Sequence, residues 1–468
     1  MKTRKGYKVY PFTVAQKYHN YYSAYCPGKE VLNVGTSLTI EYELDVDELR
    51  KAIYKAYERC ESMRARLAFD KEKNEWYQYI ADKEDREIDY VDFRNKTMQE
   101  AEEEMTAWTR IPFDKEDEPM NKVTIIKTPD GYMGVYFVGD HRFVDAQSLI
   151  MFLKDIIQLY CNANFEGVPY PEPMRSYVEQ LEKDLAYEAG SKAQARDREY
   201  FHKLIEESEP IYNGIINGPK KLEEARKNTG NPNLRVAPTG TDSMKAAIDV
   251  FHLEEEPTQR LMRFCEEHHI SLQCLLIMAI RTYFQKQNNN DDVSMQVAYA
   301  RRATLLEKKS GGTRIHSFPF RTIIPEDKTF LEGIHEIRDK QNETFKYVNF
   351  DPTEYLSYRS QYYNLPAGMG YETISLTYQP ATLKEKGLTD LGDIKYKTKR
   401  YCNGYYADGL YLTVMHRPED NGLDFSFEHQ TKAYSRDQLE YFYYYICRIM
   451  FKGIETPNLK IGDIIKLV

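Results

Sequence analysis

No stretch of the 468-residue chain is apolar for the length that a bilayer requires, so no transmembrane helix is expected. The opening Met1-Lys2-Thr3-Arg4-Lys5 is basic, but no continuous apolar segment follows it, which argues against a secretory signal peptide. Cysteines are few and scattered. Cys26, Cys60, Cys161, Cys265, Cys274, Cys402 and Cys447 form neither close metal-ligand pairs nor a regular disulfide framework, which points to reduced, mostly buried thiols in the cytoplasm. A sustained basic tract is also missing, and with a formal net charge of −9 no nucleic-acid partner is expected. Gly311-Gly312 lacks the glycine pattern and the Lys-Ser/Thr ending of a phosphate loop, and adjacent His268 and His269 have no third ligand at a metal-binding spacing. No metal site is expected.

What is plentiful is tyrosine, 39 residues of it, which could line a groove but reads more simply as a polar aromatic replacing Phe in cores and on surfaces. The length suits two lobes, each with its own core. Residues Ser176 to Glu207 read as a long charged helical region, and 208–241 is polar and punctuated by Gly and Pro. We place the crossover in this broad region and write the lobes as 1–190 and 191–468.

The richest local signal is His141-Arg142-Phe143-Val144-Asp145. It follows Gly131 to Val138, a β-branched and aromatic run that reads as an interior strand, and precedes Ser148 to Ile157, which reads as a buried helix. A histidine at such a junction can be held rigidly while its ring faces a cleft. The spacing alone is weak, because His416 and Asp420 repeat it. That copy lies in His416-Arg417-Pro418-Glu419-Asp420-Asn421-Gly422, the composition of a hairpin turn. Pro129-Asp130-Gly131 predicts another hairpin ahead of the His141 strand.

Elsewhere, Thr13 reads as the cap of a short opening helix, and His19 within it as a surface or interface residue. Asp45 to Tyr57 reads as a capped helix leading to Met63-Arg64-Ala65-Arg66-Leu67. If extended, that run places Arg64 and Arg66 on one face, in need of a carboxylate or solvent. Pro319 disfavours an interior antiparallel strand, so Ile315 to Arg321 should cross or edge a sheet. Strands are expected at 373–378 and 409–414, bracketing a charged loop, and at 423–429. Ser148 reads as a helix cap or first-turn residue rather than a nucleophile.

Several separated segments, in order, resemble the condensation-domain branch of the chloramphenicol acetyltransferase-like superfamily, the branch of nonribosomal peptide synthetases. Thr13-Val14-Ala15-Gln16 looks like the opening Ser-x-Ala-Gln element, and Arg59-Cys60-Glu61-Ser62-Met63-Arg64-Ala65-Arg66-Leu67 is similar to Arg-His-Glu-x-Leu-Arg-Thr-Arg-Phe. Asp140-His141-Arg142-Phe143-Val144-Asp145-Ala146 resembles His-His-x-x-x-Asp-Gly, and Ile315-His316-Ser317-Phe318-Pro319-Phe320-Arg321 resembles Val-Asn-Thr-Leu-Pro-Leu-Arg. The resemblance implies an α/β fold of two chloramphenicol acetyltransferase-like lobes arranged as a V, with a central tunnel and His141 near its centre. It further implies that His141 takes a proton from, or orients, an attacking nucleophile, and that Asp145 is a structural carboxylate paired with an arginine. Arg64 and Arg66 are the candidate partners, and Arg66 is preferred. Asp140, Ala146, His316, Ser317 and Arg321 are expected at the pocket. Asp140 stands where the motif has its first histidine, and Ala146 replaces glycine, adding a Cβ where the loop could need an unusual dihedral or room for substrate.

The expected function is a stand-alone, cytoplasmic, monomeric acyltransferase that moves an acyl group from a carrier-protein thioester to an amine, with a small-molecule nucleophile and a carrier protein acting in trans. No cofactor is expected to be tightly bound. Phosphopantetheine or coenzyme A would enter as part of the donor. The alternatives are a coenzyme-A-dependent acyltransferase forming an ester or amide, and a catalytically inactive, carrier-binding homologue.

Overall fold

The computed structural model describes residues 3–380 and 395–468, and its contacts divide the chain into two compact units. The first comprises residues 3–191, Ala300–Ile315 and 395–405, and the second comprises Lys192–Tyr299, His316–Pro380 and Tyr406–Val468. This differs from the two continuous lobes, 1–190 and 191–468, read from the sequence. Two excursions of the later chain complete the first unit, one by ion pairs and one by strand pairing. The first crossing falls beside Gly190, whose φ of +101° ends the helix Tyr177–Glu188 before Lys192–Glu207 begins. The long helical region is therefore two helices.

In the first unit a five-stranded sheet runs Tyr396–Tyr401, Asn33–Ile40, Met133–Asp140, Asn121–Lys127, Asp89–Asp92, antiparallel except for the last pair. Met133–Asp140 is central and buried at every residue. Its alternation feeds two cores. Met133, Val135 and Phe137 pack with Ile53, Tyr57, Phe152 and Ile156 from the helices Val46–Arg59 and Ala146–Asn164. Tyr136 and Val138 pack on the opposite face with Phe93 and Met105. A strand covered on both faces has no polar positions to spare, which is why its sequence is a nearly continuous apolar run. Gly134 is required by close approach, since a Cβ there would collide with the Leu38 carbonyl oxygen of the neighbouring strand. The hairpin before this strand turns at Gly131, with φ +87°.

In the second unit a six-stranded mixed sheet runs Ala246–Leu253, Leu423–Gln430, Leu410–His416, Ser375–Gln379, Asp292–Tyr299, His316–Ile323. The strand carrying Pro319 is at the edge, as the missing N–H demands. His416 and Asp420 belong to a hairpin turn. Arg417 forks onto Asp420 at 2.7 and 2.8 Å, and Asn421 takes φ +59°. The charged loop expected between 378 and 409 lies partly outside the described residues, and its described part carries the strand Tyr396–Tyr401. Among the described residues no helix is long and apolar enough to cross a membrane, and no three His, Cys, Asp or Glu cluster as metal ligands.

Candidate active site

The central strand ends at Asp140, and the helix Ala146–Asn164 begins after five intervening residues. Between them the backbone is tied to its surroundings at each step. The Asp140 amide donates to the Met120 carbonyl at 2.9 Å and the His141 amide to the Leu32 carbonyl at 2.7 Å, while the Phe143 amide returns to the Asp140 carbonyl at 2.9 Å. Phe143 and Val144 are buried, Phe143 edge-on to Phe12 at 5.9 Å. Apolar anchors on both sides of His141 thus fix a loop that would otherwise carry the freedom of a connecting segment.

Two arginine–carboxylate forks close the loop. Asp140, 1% exposed, accepts from Arg142 Nε at 2.9 Å, Nη2 at 2.7 Å and the Arg142 amide at 2.8 Å. Arg142 reaches on to Asn20 Oδ1 and the Phe113 carbonyl. Asp140 is therefore a brace inside the loop and not a pocket wall, because the neighbouring guanidinium draws it inward and away from any open surface. Asp145 caps the helix. It accepts from the Ser148 amide at 2.9 Å, and Ser148 Oγ accepts from the Asp145 amide at 3.1 Å. Its two oxygens also accept from Arg302 Nη2 at 2.9 and 2.8 Å and, on one side, from the Arg314 amide at 3.0 Å. Burial pushes this carboxyl up, but Arg302 with the Ser148 and Arg314 amides outweighs burial and holds it below the usual range.

The partner of Asp145 is thus Arg302, and the preference for Arg66 is corrected. Arg66 pairs with Glu84 at 2.8 Å, a carboxylate that Arg86 shares. Arg64 donates to the Tyr57, Glu58 and Ala81 carbonyls. The shared face expected for Arg64 and Arg66 does not form, because Glu61–Arg64 is a turn of 3-10 helix and extended structure starts only at Ala65. Arg64 instead satisfies the last carbonyls of the helix Val46–Arg59, which lack partners of their own. Arg302 arrives on the segment 300–315, whose Gly311 and Gly312 take φ +77° and +74°. A Cβ on Gly312 would collide with the Tyr177 ring, and its carbonyl accepts from Arg302 at 2.8 Å. These glycines shape an arginine-bearing turn.

Ala146 is the first residue of the helix and lies outside the left-handed region, so its Cβ meets no backbone strain. His316, Ser317 and Arg321 belong to the second unit. His316 is fully buried, its Nδ1 at 3.0 Å from the Val348 carbonyl, because alternation along the edge strand turns His316, Phe318 and Phe320 inward. With no exposed surface it does not line a pocket. Ser317 and Arg321 are on the other face, and Arg321 forks onto Asp292 at 2.6 Å through both Nε and Nη2. Arg321 also lines a cavity of about 90 Å³ with Phe201, Lys340 and Tyr355.

His141 is half-buried. Its Nδ1 is sealed from solvent without a partner at hydrogen-bonding geometry, which leaves Nε2 as the nitrogen able to meet a substrate. Burial pushes the imidazole below its ordinary 6.5. Its own backbone, Asp145 and Asp140 oppose that shift, and Arg400 adds to it. The ring is therefore neutral at pH 7. Against it lies His19 from the helix Val14–Tyr25, stacked with centroids 4.0 Å apart and planes 20° from parallel. The surface role read for His19 is corrected, since the residue is only 9% exposed. Its one sequence signal is position, three residues after the inward-facing Gln16 of the Thr13 capping box and so on the same helix face.

Two α/β units, one delivering a histidine from a central strand and capping the next helix with an aspartate four residues on, define the chloramphenicol acetyltransferase-like class of fold. Solved structures agree. The first condensation domain of the calcium-dependent antibiotic synthetase, in complex with a substrate analogue, aligns with a TM-score of 0.79 at 16% identity, covering 97% of this chain and 98% of that one. The starter condensation domain of rhizomide synthetase, a variant in complex with C8-CoA, aligns at 0.79 and 16% identity over 97% of each. The condensation-domain family model matches residues 7–467, and the chain belongs to that family. A plipastatin synthase component of Bacillus subtilis (strain 168) is 21% identical over 97% of this chain, and a surfactin synthase component of the same organism is 19% identical over 97%. The chain spans only 17% and 12% of the length of these two relatives.

Proposed function

We propose that the chain forms an amide by moving an acyl group from a carrier-protein thioester to an amine. The amine nitrogen attacks the thioester carbonyl, the C–N bond forms, the C–S bond breaks, and the thiol departs with a proton. His141 Nε2 accepts the proton that the amine loses or holds the amine in line for attack. The observation that carries this reading is an imidazole whose Nδ1 is sealed and whose burial favours the neutral ring, on a loop locked by the Asp140–Arg142 and Asp145–Arg302 forks. Rigidity matters because a misplacement of about 1 Å can cost a hundredfold in rate. Phosphopantetheine enters as part of the donor. Membership of the condensation-domain family supports a carrier protein as the partner that presents it.

Coenzyme A as the donor handle is the second reading, supported by the C8-CoA complex of the rhizomide relative. Mass spectrometry of reactions given acyl-carrier and acyl-coenzyme-A donors with a panel of amines and alcohols separates the two. His141→Ala should reduce turnover by about 10²–10⁴-fold while leaving folding and donor binding intact. Unchanged turnover in that variant overturns the role of His141. Intact donors across the panel, with carrier binding retained, point instead to an inactive carrier-binding homologue.

A further inference from the structure

The helix Val14–Tyr25 is anchored at its start with unusual thoroughness. The Thr13 amide donates to Gln16 Oε1 at 2.9 Å, and Gln16 and Gln78 exchange amide hydrogen bonds at 3.0 and 2.6 Å. Tyr177 donates its hydroxyl to Gln78 Oε1 at 3.0 Å. Asn20 accepts from Arg142 at 3.3 Å, so this helix is tied directly to the His141 loop. Between Gln16 and Asn20, the His19 ring is wedged edge-on to Tyr18 at 5.7 Å and flat against His141 at 4.0 Å. His19 Nε2 is buried without a hydrogen-bond partner, and His141 Nδ1, equally sealed, finds none at hydrogen-bonding geometry beyond the influence of its own backbone. A buried polar atom costs stability unless it is paired, so two such atoms on stacked faces need an explanation beyond packing.

We propose that His19 is a positioning residue for the reaction, a platform that fixes the plane of the His141 ring and disfavours an imidazolium there. The proposal rests on the reading of His141 as the group that meets the nucleophile. Two neutral imidazoles stack without cost, and the His19 ring covers a face of His141 that water would otherwise reach, so a proton on His141 places a charge where little water can solvate it. The surrounding charges do not reverse this. Asp140 and Asp145 are the carboxylates facing His141, and each is already engaged by its own arginine, Arg142 and Arg302. Arg400 faces His141 and Arg142 faces His19, and both oppose a further positive charge. Burial acts in the same direction on both rings and drives His19 well below its ordinary value. At a given pH the pair therefore carries less positive charge than two isolated histidines, which favours a free accepting nitrogen on His141.

The test compares His19→Phe and His19→Ala with the unaltered chain. Phenylalanine keeps a flat platform and the packing, whereas alanine removes the platform and lets water reach Nδ1. Turnover of the His19→Ala variant should fall about tenfold at pH 7 through kcat rather than KM, with His19→Phe restoring most of it. The acid limb of the pH–rate profile should lie below 6.5 in the unaltered chain and move towards that value in His19→Ala. Long-range ¹H–¹⁵N spectra of ¹⁵N-histidine-labelled protein read the His141 titration without any turnover and should show the same displacement. An unchanged His141 titration and pH profile in His19→Ala overturns the proposal, as does an equal loss of rate in His19→Phe and His19→Ala. If His141→Ala retains turnover, the acyl-transfer reading fails and the positioning role falls with it. The spectra still decide separately whether the two rings are coupled.

Discussion

Replacing Asp145 with Asn isolates one function of that residue from another. Asparagine caps a helix about as well as aspartate, so the bond to the Ser148 amide is kept. What disappears is the negative charge facing Arg302, in a pair whose side chains are only 1% and 4% exposed. A buried cation left without its counter-charge costs about 3–5 kcal/mol. For a unit of the order of 150–250 residues, at roughly 2–4 °C per kcal/mol, this lowers the unfolding temperature by about 6–20 °C. Both tryptophans, Trp76 and Trp108, are in the first unit, so intrinsic fluorescence during urea unfolding reports on the unit that holds the fork. In a double-mutant cycle with Arg302→Gln the coupling should be about 2–3 kcal/mol, and with Arg66→Gln it should stay within about 0.5 kcal/mol. An unshifted midpoint in Asp145→Asn, or a larger coupling to Arg66 than to Arg302, would refute the assignment of the fork.

Stability should also fall as the solution is acidified below pH 6.5. His19 and His141 are held below that value in the folded state, so the unfolded chain binds protons that the folded chain does not. The loss begins at the unfolded value, ends at the depressed folded values, and has a slope of up to about 1.4 kcal/mol per pH unit for each ring. Urea midpoints measured between pH 7 and pH 5 should decline less steeply in His19→Phe, and an identical slope would remove His19 as a contributor. Gly134→Ala pushes a methyl group into the Leu38 carbonyl and should cost about 1–3 kcal/mol by thermal unfolding. A neutral result there would mean that the two central strands can part without penalty.

Features governed by local pattern are legible in the sequence. The central strand, the helix after it, the hairpin at His416 and the edge position of the Pro319 strand all follow from periodicity, capping or a missing N–H over a few residues. What does not read depends on chain segments far apart. Arg302 is 157 residues from Asp145, and nothing in Arg301-Arg302 separates a buried counter-ion from a surface pair. The strand Tyr396–Tyr401 reads as loop because Lys397, Lys399 and Arg400 fall in a short run. Charged residues are what an edge strand carries to stay unpaired on its outer side. Arg64 and Arg66 read together because they alternate, yet each is claimed by a nearer group, helix carbonyls for one and Glu84 for the other. His19 reads as a surface or interface residue because a lone histidine in a short helix has no distinguishing spacing.

The completion of the first unit by residues 300–315 and 395–405 has a consequence for how the chain acquires its structure. During synthesis from the amino terminus, Asn33–Ile40 stands as an open sheet edge until about two hundred further residues have followed the end of the helix Tyr177–Glu188. Asp145 waits 157 residues for Arg302. Contacts of such large sequence separation slow folding and prolong the exposure of unpaired strands. The segment Lys192–Tyr299 of the second unit must therefore be synthesised before Arg302 can close on the loop that carries His141.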